Sequence, residues 1–517
     1  MKKMKKLTNA FAKLQPKQFF AAIIALASLY FSSLFMLNGS GKQIEIQDVL
    51  LLSALILIFN ASRKAFYAVI IPIAVAYTLY APVGMMFGEP NYQYLASVLA
   101  TNLAEGSEFL QQIPLQYYLM AIAIVPLLLL FRYLSQRFQL KFYKNKTLLC
   151  FILFFALVNQ SPFSFFHQFF AAAAQVKDEL VRLNQFQLES RWGASQFNGK
   201  YKNYVLVIGE SVRRDYMHAY GYPIENTPFM ESTNGIVVEG LESAGSNTIA
   251  SLRLMLTKPD KQRWAPDYSL NLIDLIKSAG VKTYWLSNQG FFGQFDTPIT
   301  AIADLNDEHY FIAKNDSISN DSSDLQLIEP FKQILQQPSD KSKFIVVHLY
   351  GSHPKACDRI KDYQNIAPVT NKKYQYLSCY VSSIRKTDQV LQQLYQALQQ
   401  QYQQQQQSFS MIYFADHGLA HKTINNEILF FNNAGSPLHH DVPLFMTASD
   451  SQQHQQCSSF KSGLNFTEAI ANWMEIKNQQ VSTQFNLFDC KNDSDDYGLK
   501  QRLPKTKLDP AIDIRNK

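Results

Sequence analysis

Cysteine is scarce in this chain of 517 residues: there are five, and no two stand in a Cys-x-x-Cys spacing. A zinc cluster built on paired thiolates therefore has no support in the pattern. Cys150 lies in an apolar run, whereas Cys357, Cys379, Cys457 and Cys490 lie in the polar remainder. An even number there suggests disulfides formed in an oxidising compartment, with sequence order favouring Cys357 with Cys379 and Cys457 with Cys490; zinc ligation by these thiols is the alternative. Lys and Arg are absent from residues 87–114. They collect instead in short segments between apolar runs, so the net charge of +7 carries no nucleic-acid inference.

What is present first is hydrophobicity in blocks. Apolar runs cover Lys17 to Leu37, Val49 to Phe59, Ala65 to Met86, Leu115 to Phe131 and Thr147 to Phe163, and a membrane span needs about 20 mainly apolar residues. The second is short and is interrupted by Asn60. Lys2, Lys3, Lys5 and Lys6, then Arg63 and Lys64, then Arg132, Arg137, Lys141, Lys144 and Lys146 flank these runs on one side. Since cytoplasmic loops gather positive charge, these segments are expected inside, and everything after the fifth run outside. Ala25-Leu-Ala27 resembles a signal-peptide cleavage site, but the apolar run continues to Leu37, which favours an uncleaved anchor. The organisation expected is a five-helix transmembrane domain over 1–165, a juxtamembrane linker over 166–199, an outer domain over 200–490 and a polar tail over 491–517.

In the outer domain, strand candidates Tyr204 to Ile208, Ile236 to Val238, Val281 to Leu286, Phe344 to Leu349, Met411 to Phe414 and Val442 to Met446 alternate with helical stretches. This predicts an α/β fold with a mainly parallel sheet flanked by helices. A helix is expected over Ile384 to Leu398, followed by a solvated Gln-rich loop over Gln399 to Gln407. Sites in such sheets lie beyond the carboxyl ends of the strands. There the chain places Glu210, Thr248, Asn288 with Gln289, His353, and Asp416 with His417.

Carboxylates and histidine are the ligands zinc takes when it activates an oxygen nucleophile. Thr248 follows a Gly245-Ser-Asn247 turn and opens a helical stretch whose first N–H groups favour an anion. Ser211, directly after Glu210, is the rival nucleophile. Arg213 and Arg214 could pair with phosphate or form structural ion pairs.

Gly209-Glu-Ser-Val-Arg-Arg-Asp215, Tyr220-Gly-Tyr-Pro223, Thr227-Pro228, Ser246-Asn-Thr-Ile-Ala-Ser251, Gly351-Ser-His-Pro354 and Asp416-His-Gly418 resemble, in that order, the motifs of bacterial phosphoethanolamine transferases. These are inner-membrane members of the alkaline phosphatase and sulfatase superfamily. The resemblance implies that Glu210, Thr248, Asp416 and His417 bind Zn2+ and that Thr248 is the nucleophile. It implies a phosphatidylethanolamine donor and a cell-envelope acceptor such as lipid A or the lipo-oligosaccharide core, with the catalytic domain in the periplasm. His353 matches a family histidine near the phosphate or a second metal. The stretch Asn102 to Leu110 resembles a loop near the lipid donor, so Glu105 is a candidate for the ethanolamine ammonium. Asn288 and Gln289 are further candidates for the substrate.

Two departures stand out. The family usually has His directly before Val-Pro, where this chain reads His439-His440-Asp441-Val442-Pro443, leaving three candidates for that role; and Leu419 stands where Glu often follows Asp-His-Gly. A phosphoglycerol transferase of the same superfamily is an alternative reading. A sulfatase would need a Cys/Ser-x-Pro-x-Arg element, and none occurs near Thr248. A non-catalytic, membrane-anchored interaction protein would be expected to have lost a ligand position, and all four are intact.

Overall fold

The computed structural model describes residues 16–42, 44–90, 110–111, 113–140, 163–184, 190–289, 297–312, 322–424, 426–431, 435–503 and 508–517. The chain divides into two compact units, one helical and N-terminal, the other holding everything after residue 178.

In the helical unit, α1 (Pro16–Gly39), α2 (Ile46–Phe59), α3 (Arg63–Phe87) and α4 (Leu115–Arg137) are built from the first four apolar runs, and α5 (Phe163–Asn184) begins where the fifth run ends. Three of them, α1, α3 and α4, are long and apolar enough to cross a membrane; α2 is apolar but only 14 residues long. The expected fifth span, Thr147 to Phe163, lies outside the described residues except for Phe163, which opens α5. Small residues on α1 (Ala21, Ala22, Ala25, Ser28, Ser32) are buried, and Ser32 Oγ donates to the Ile124 carbonyl of α4 (2.9 Å). Glycine is required where α1 meets α3, since a Cβ on Gly84 would lie 2.0 Å from the Gly39 carbonyl oxygen. A π-helical turn over Phe66–Ile70 ends two residues before Pro72, which has no N–H to donate and whose ring crowds the carbonyl of the preceding turn. The sequence reading ended the fourth run at Phe131. The helix instead continues to Arg137, and Arg132 folds inward to donate from Nη1 to the carbonyl oxygen and Oδ1 of Asn60 (2.5 and 2.6 Å).

The second unit is organised by an eight-stranded sheet in the order β11-β3-β10-β7-β2-β6-β4-β5. Its strands are β2 (Asn203–Gly209), β3 (Gly235–Glu242), β4 (Lys282–Ser287), β5 (Glu308–Phe311), β6 (Lys343–His348), β7 (Phe409–Ala415), β10 (Asp441–Ala448) and β11 (His454–Ser462). Only β10 runs against the others. Strands β2, β6 and β7 are buried along their whole length, the pattern of a sheet covered on both faces. Two short pairs complete the unit, β1 (Gln196–Phe197) with β12 (Ile476–Lys477) and β8 (Ala420–Ile424) with β9 (Glu427–Phe431).

All six strands expected from sequence form. The edge strand β5 and the polar β11 were not legible, because neither has the apolar run of a central strand. Helix α6 (Thr248–Met255) starts at the candidate nucleophile, and α7 (Gln375–Gln405) packs Ile384, Thr387, Leu391, Leu394 and Leu398 inward. The expected Gln-rich loop is corrected here: the helix runs on to Gln405, Gln401 is buried, and glutamine is a good helix former. Disulfides join Cys357 to Cys379 and Cys457 to Cys490. The end of the chain is not a free tail, since Ile514 is buried and the Ile512 carbonyl accepts from Tyr222 (2.9 Å).

Candidate metal and nucleophile site

Sheet register creates the centre of the site. Strands β2 and β7 are parallel neighbours with Gly209 opposite Ala415, so the residues that follow, Glu210 and Asp416, emerge side by side. Strand β10 runs the other way, and its amino end therefore reaches the same edge. There the Gly418 N–H donates to the His439 carbonyl (2.6 Å) and the Ser243 N–H to the His440 carbonyl (2.7 Å). The loop after β3 then delivers Thr248, whose helix is capped by Asn247 Oδ1 accepting from the Ala250 N–H (2.9 Å).

Glu210, Asp416 and His417 are fully buried, and one ligand atom from each falls within 4.8 Å of the others, a grouping that could hold a metal ion. Thr248 Oγ1 donates to Glu210 Oε2 (2.9 Å) and lies 3.4 Å from His417 Nε2. His417 Nε2 is 3.2 Å from Glu210 Oε1 and 3.5 Å from Asp416 Oδ2. Its Nδ1 faces the Gly418 carbonyl (2.7 Å); a proton held there leaves the Nε2 lone pair for a ligand, the usual arrangement of a metal-binding histidine. Asp416 Oδ1 accepts from the N–H groups of Ser211 (3.1 Å) and His417 (2.8 Å), whereas its Oδ2 is buried with no hydrogen bond.

The electrostatics report the same mismatch. Burial pushes the Asp416 carboxyl well above its ordinary range, and the Glu210 charge adds to this. Burial would also raise Glu210, but His417 holds it below the usual carboxylate range. Burial would lower the imidazole of His417, yet Asp416 and Glu210 lift it to about 9. Two buried carboxylates aimed at one point favour a cation between them. The donor set of one nitrogen and three oxygens fits zinc, and when bound the metal would supply Lewis-acid activation of the threonine oxygen.

Ser211 has a left-handed backbone (φ 60°) and donates its hydroxyl to Glu210 Oε1 (2.6 Å). It braces the carboxylate from the side opposite Thr248. Gln289 Nε2 donates to the Leu349 carbonyl (2.9 Å) and lies 3.5 Å from Glu210 Oε2. Asn288 turns elsewhere, donating to Asp324 (2.8 Å). Asp324 in turn accepts from the N–H groups of Tyr350 (2.8 Å) and Gly351 (2.9 Å). Gly351 has a φ of 47°, and a Cβ there would press on Glu210 at 3.0 Å. The turn so held presents His353, which is stacked on Tyr350 (4.7 Å) with Nδ1 buried and without a hydrogen bond; burial lowers its pKa to about 4.

The three candidates before Val442-Pro443 separate. Asp441 is taken by Arg214 through two bonds of 2.6 Å. His439 is buried, with Nε2 accepting from the Ala420 N–H (2.9 Å). His440 has its Nδ1 against the Ser243 carbonyl (2.8 Å). Arg213 is buried and paired with Asp215 and Asp509, so neither arginine is open to phosphate. Glu105 lies outside the described residues. Sequence reasoning missed Asp324 and Asp509; both act across long sequence separations with no local pattern.

A sulfatase-type sheet carrying a buried acid–acid–histidine cluster beside the hydroxyl of a helix's first residue defines a group-transfer enzyme of the alkaline phosphatase and sulfatase class. Residues 202–476 match the Sulfatase family. A Haemophilus influenzae protein provisionally named a phosphoethanolamine transferase is 45% identical over 420 residues, 80% of this chain and 86% of that protein. Phosphoethanolamine transferase OpgE of Escherichia coli is 28% identical over 454 residues, covering 82% of this chain and 83% of OpgE. The fold is similar to that of lipooligosaccharide phosphoethanolamine transferase A of Neisseria meningitidis, with a TM-score of 0.60 at 19% identity over 89% of this chain and 96% of the other. The chain belongs to the phosphoethanolamine transferase family, a family of transferase enzymes.

Proposed function

We propose that the protein moves phosphoethanolamine from phosphatidylethanolamine to a cell-envelope acceptor, with lipid A or the lipo-oligosaccharide core favoured, through a phospho-threonine at Thr248. The observation that carries this is the placement of Thr248 Oγ1 between Glu210 Oε2 (2.9 Å) and His417 Nε2 (3.4 Å). Glu210, Thr248, Asp416 and His417 would hold Zn2+. Thr248 Oγ would attack phosphorus as the bond to the glycerol oxygen breaks, releasing diacylglycerol; an acceptor oxygen would then take the group from the enzyme. The first N–H groups of α6, His353 and His440 would face the phosphoryl oxygens, and Gln289 would steady Glu210. Glu105 remains the candidate for the ammonium. The charge pattern supports a multi-pass anchor in the bacterial inner membrane, N-terminus cytoplasmic and catalytic unit periplasmic. Five spans over 1–165, a linker over 166–199 and a catalytic domain over 200–490 are the division this reading uses.

The test is intact mass after incubation of the detergent-solubilised protein with phosphatidylethanolamine and zinc. A phosphoethanolamine adduct is expected on wild type and Thr248→Ser and absent from Thr248→Ala. An adduct that persists in Thr248→Ala moves the nucleophile to Ser211. An adduct from phosphatidylglycerol alone replaces this reading with phosphoglycerol transfer.

A further inference from the structure

The C-terminal segment returns to the back of the site. Asp509 sits where two loops meet: the one carrying Glu210 and the one carrying Asp416 and His417. Its Oδ2 accepts from the His421 N–H (3.0 Å) and from Arg213 Nη1 (3.1 Å), and its Oδ1 accepts from Ser436 Oγ. Its main-chain carbonyl accepts from Arg213 Nη2 (2.7 Å). Arg213 is fully buried, three residues after Glu210. It reaches the second loop as well, donating from Nη1 to the Leu419 carbonyl (3.3 Å), and its Cγ lies where a Cβ on Gly418 would come within 2.8 Å. Its Nε and Nη2 are fixed by Asp215 (2.9 and 2.6 Å), and Asp215 Oδ2 accepts from the Ala511 N–H (2.8 Å). One guanidinium thus ties the Glu210 loop to the Asp416–His417 loop, and Asp509 supplies its second carboxylate, the one on Nη1.

We infer that Asp509 and Arg213 are positioning residues of the metal site, and that the C-terminal segment 508–517 is a strap setting the separation of Glu210 from Asp416 and His417. This rests on the metal reading proposed above. Both residues act through the ligands and touch no reacting atom. Asp215 keeps its hold on Nε and Nη2, but a buried Nη1 that loses Asp509 has no water to turn to, and the loops the guanidinium joins carry the three ligands on opposite sides of the β2–β7 seam. Support behind the ligands of a metal site commonly sets affinity by factors of about 10 to 100.

The experiment measures zinc affinity of the full-length protein in detergent by competition with a chelator, below the unfolding temperature of each variant. Asp509→Asn keeps the shape and removes the charge; Arg213→Lys keeps the charge and removes the fork. Ser436→Ala, which loses one bond to Asp509, covers the case in which either of the others fails to fold. Asp513→Asn, which loses an exposed pair with Arg515 (2.7 Å), is the control. Zinc affinity is expected to fall about 10- to 100-fold in Asp509→Asn and Arg213→Lys, by less in Ser436→Ala, and not at all in Asp513→Asn. Zinc affinity within about twofold of wild type in every folded strap variant, whatever its melting temperature, would overturn the inference, since support of this kind should cost at least tenfold. Wild-type protein that itself binds no zinc would overturn the metal reading beneath it, a result separate from strap variants that bind as wild type does.

Discussion

Replacing Asp416 by Asn should change stability in opposite directions with and without zinc. In the metal-free protein Asp416 and Glu210 are neighbouring buried carboxyls, and Asp416 is pushed well above its usual pKa by burial and by the charge on Glu210. An asparagine keeps the Oδ1 acceptor for the Ser211 and His417 N–H groups (3.1 and 2.8 Å) and puts an N–H where Oδ2 now has no hydrogen bond. Metal-free Asp416→Asn should therefore be as stable as wild type within about 1 kcal/mol, or more stable, because a strained buried acid is replaced by a neutral donor. With zinc the order reverses. At free zinc about 1,000 times its dissociation constant, wild type gains about 4 kcal/mol; a variant binding about 1,000-fold more weakly gains under about 1 kcal/mol at the same concentration. Thermal unfolding in detergent, with chelator and then with buffered zinc, measures both. A metal-free Asp416→Asn weaker than wild type by more than about 2 kcal/mol would refute the electrostatic reasoning, and an undiminished zinc shift would refute the assignment of Asp416 as a ligand.

His440→Ala should bind zinc normally and slow transfer about 10²- to 10³-fold, the usual cost of losing one group that steadies transition-state charge. His439→Ala should instead cost about 1–3 kcal/mol of stability by leaving the buried Ala420 N–H without its acceptor (2.9 Å); unfolding and turnover measured on both variants would show reversed effects if the two histidines were exchanged in role. Stability should also fall on acidification. His348 is fully buried and its pKa drops from 6.5 to about 4, burial being the main cause. Between those values the unfolded chain binds a proton that the folded chain does not, so stability is lost as pH falls, by up to about 3 kcal/mol from this residue. Unfolding from pH 7 to pH 4 should be shallower in His348→Gln, and an unchanged slope would sink this account.

Short-range pattern determined much of this protein. The apolar runs that form α1 to α4, six strand cores such as Val205 to Ile208 and Met411 to Phe414, and the acid, threonine and Asp-His positions at strand ends were legible, because period, composition and turn chemistry are properties of neighbouring residues. The cysteine partners followed from sequence order. Tertiary structure decided what no local pattern carries. The reversed direction of β10 brings His440 to the site edge, commits Asp441 to Arg214 (2.6 Å) and turns His439 into a backbone acceptor; three adjacent polar residues read alike in sequence and point three ways once the strand is paired. Asp324 and Asp509 became visible only when the chain closed on itself, since each binds groups tens to hundreds of residues away. The 209–415 register decided that Glu210 and Asp416 share one cation-sized space. Hydrogen bonds that tie distant loops leave no period in the sequence, because their partners are chosen by the packing of the sheet and not by neighbours along the chain.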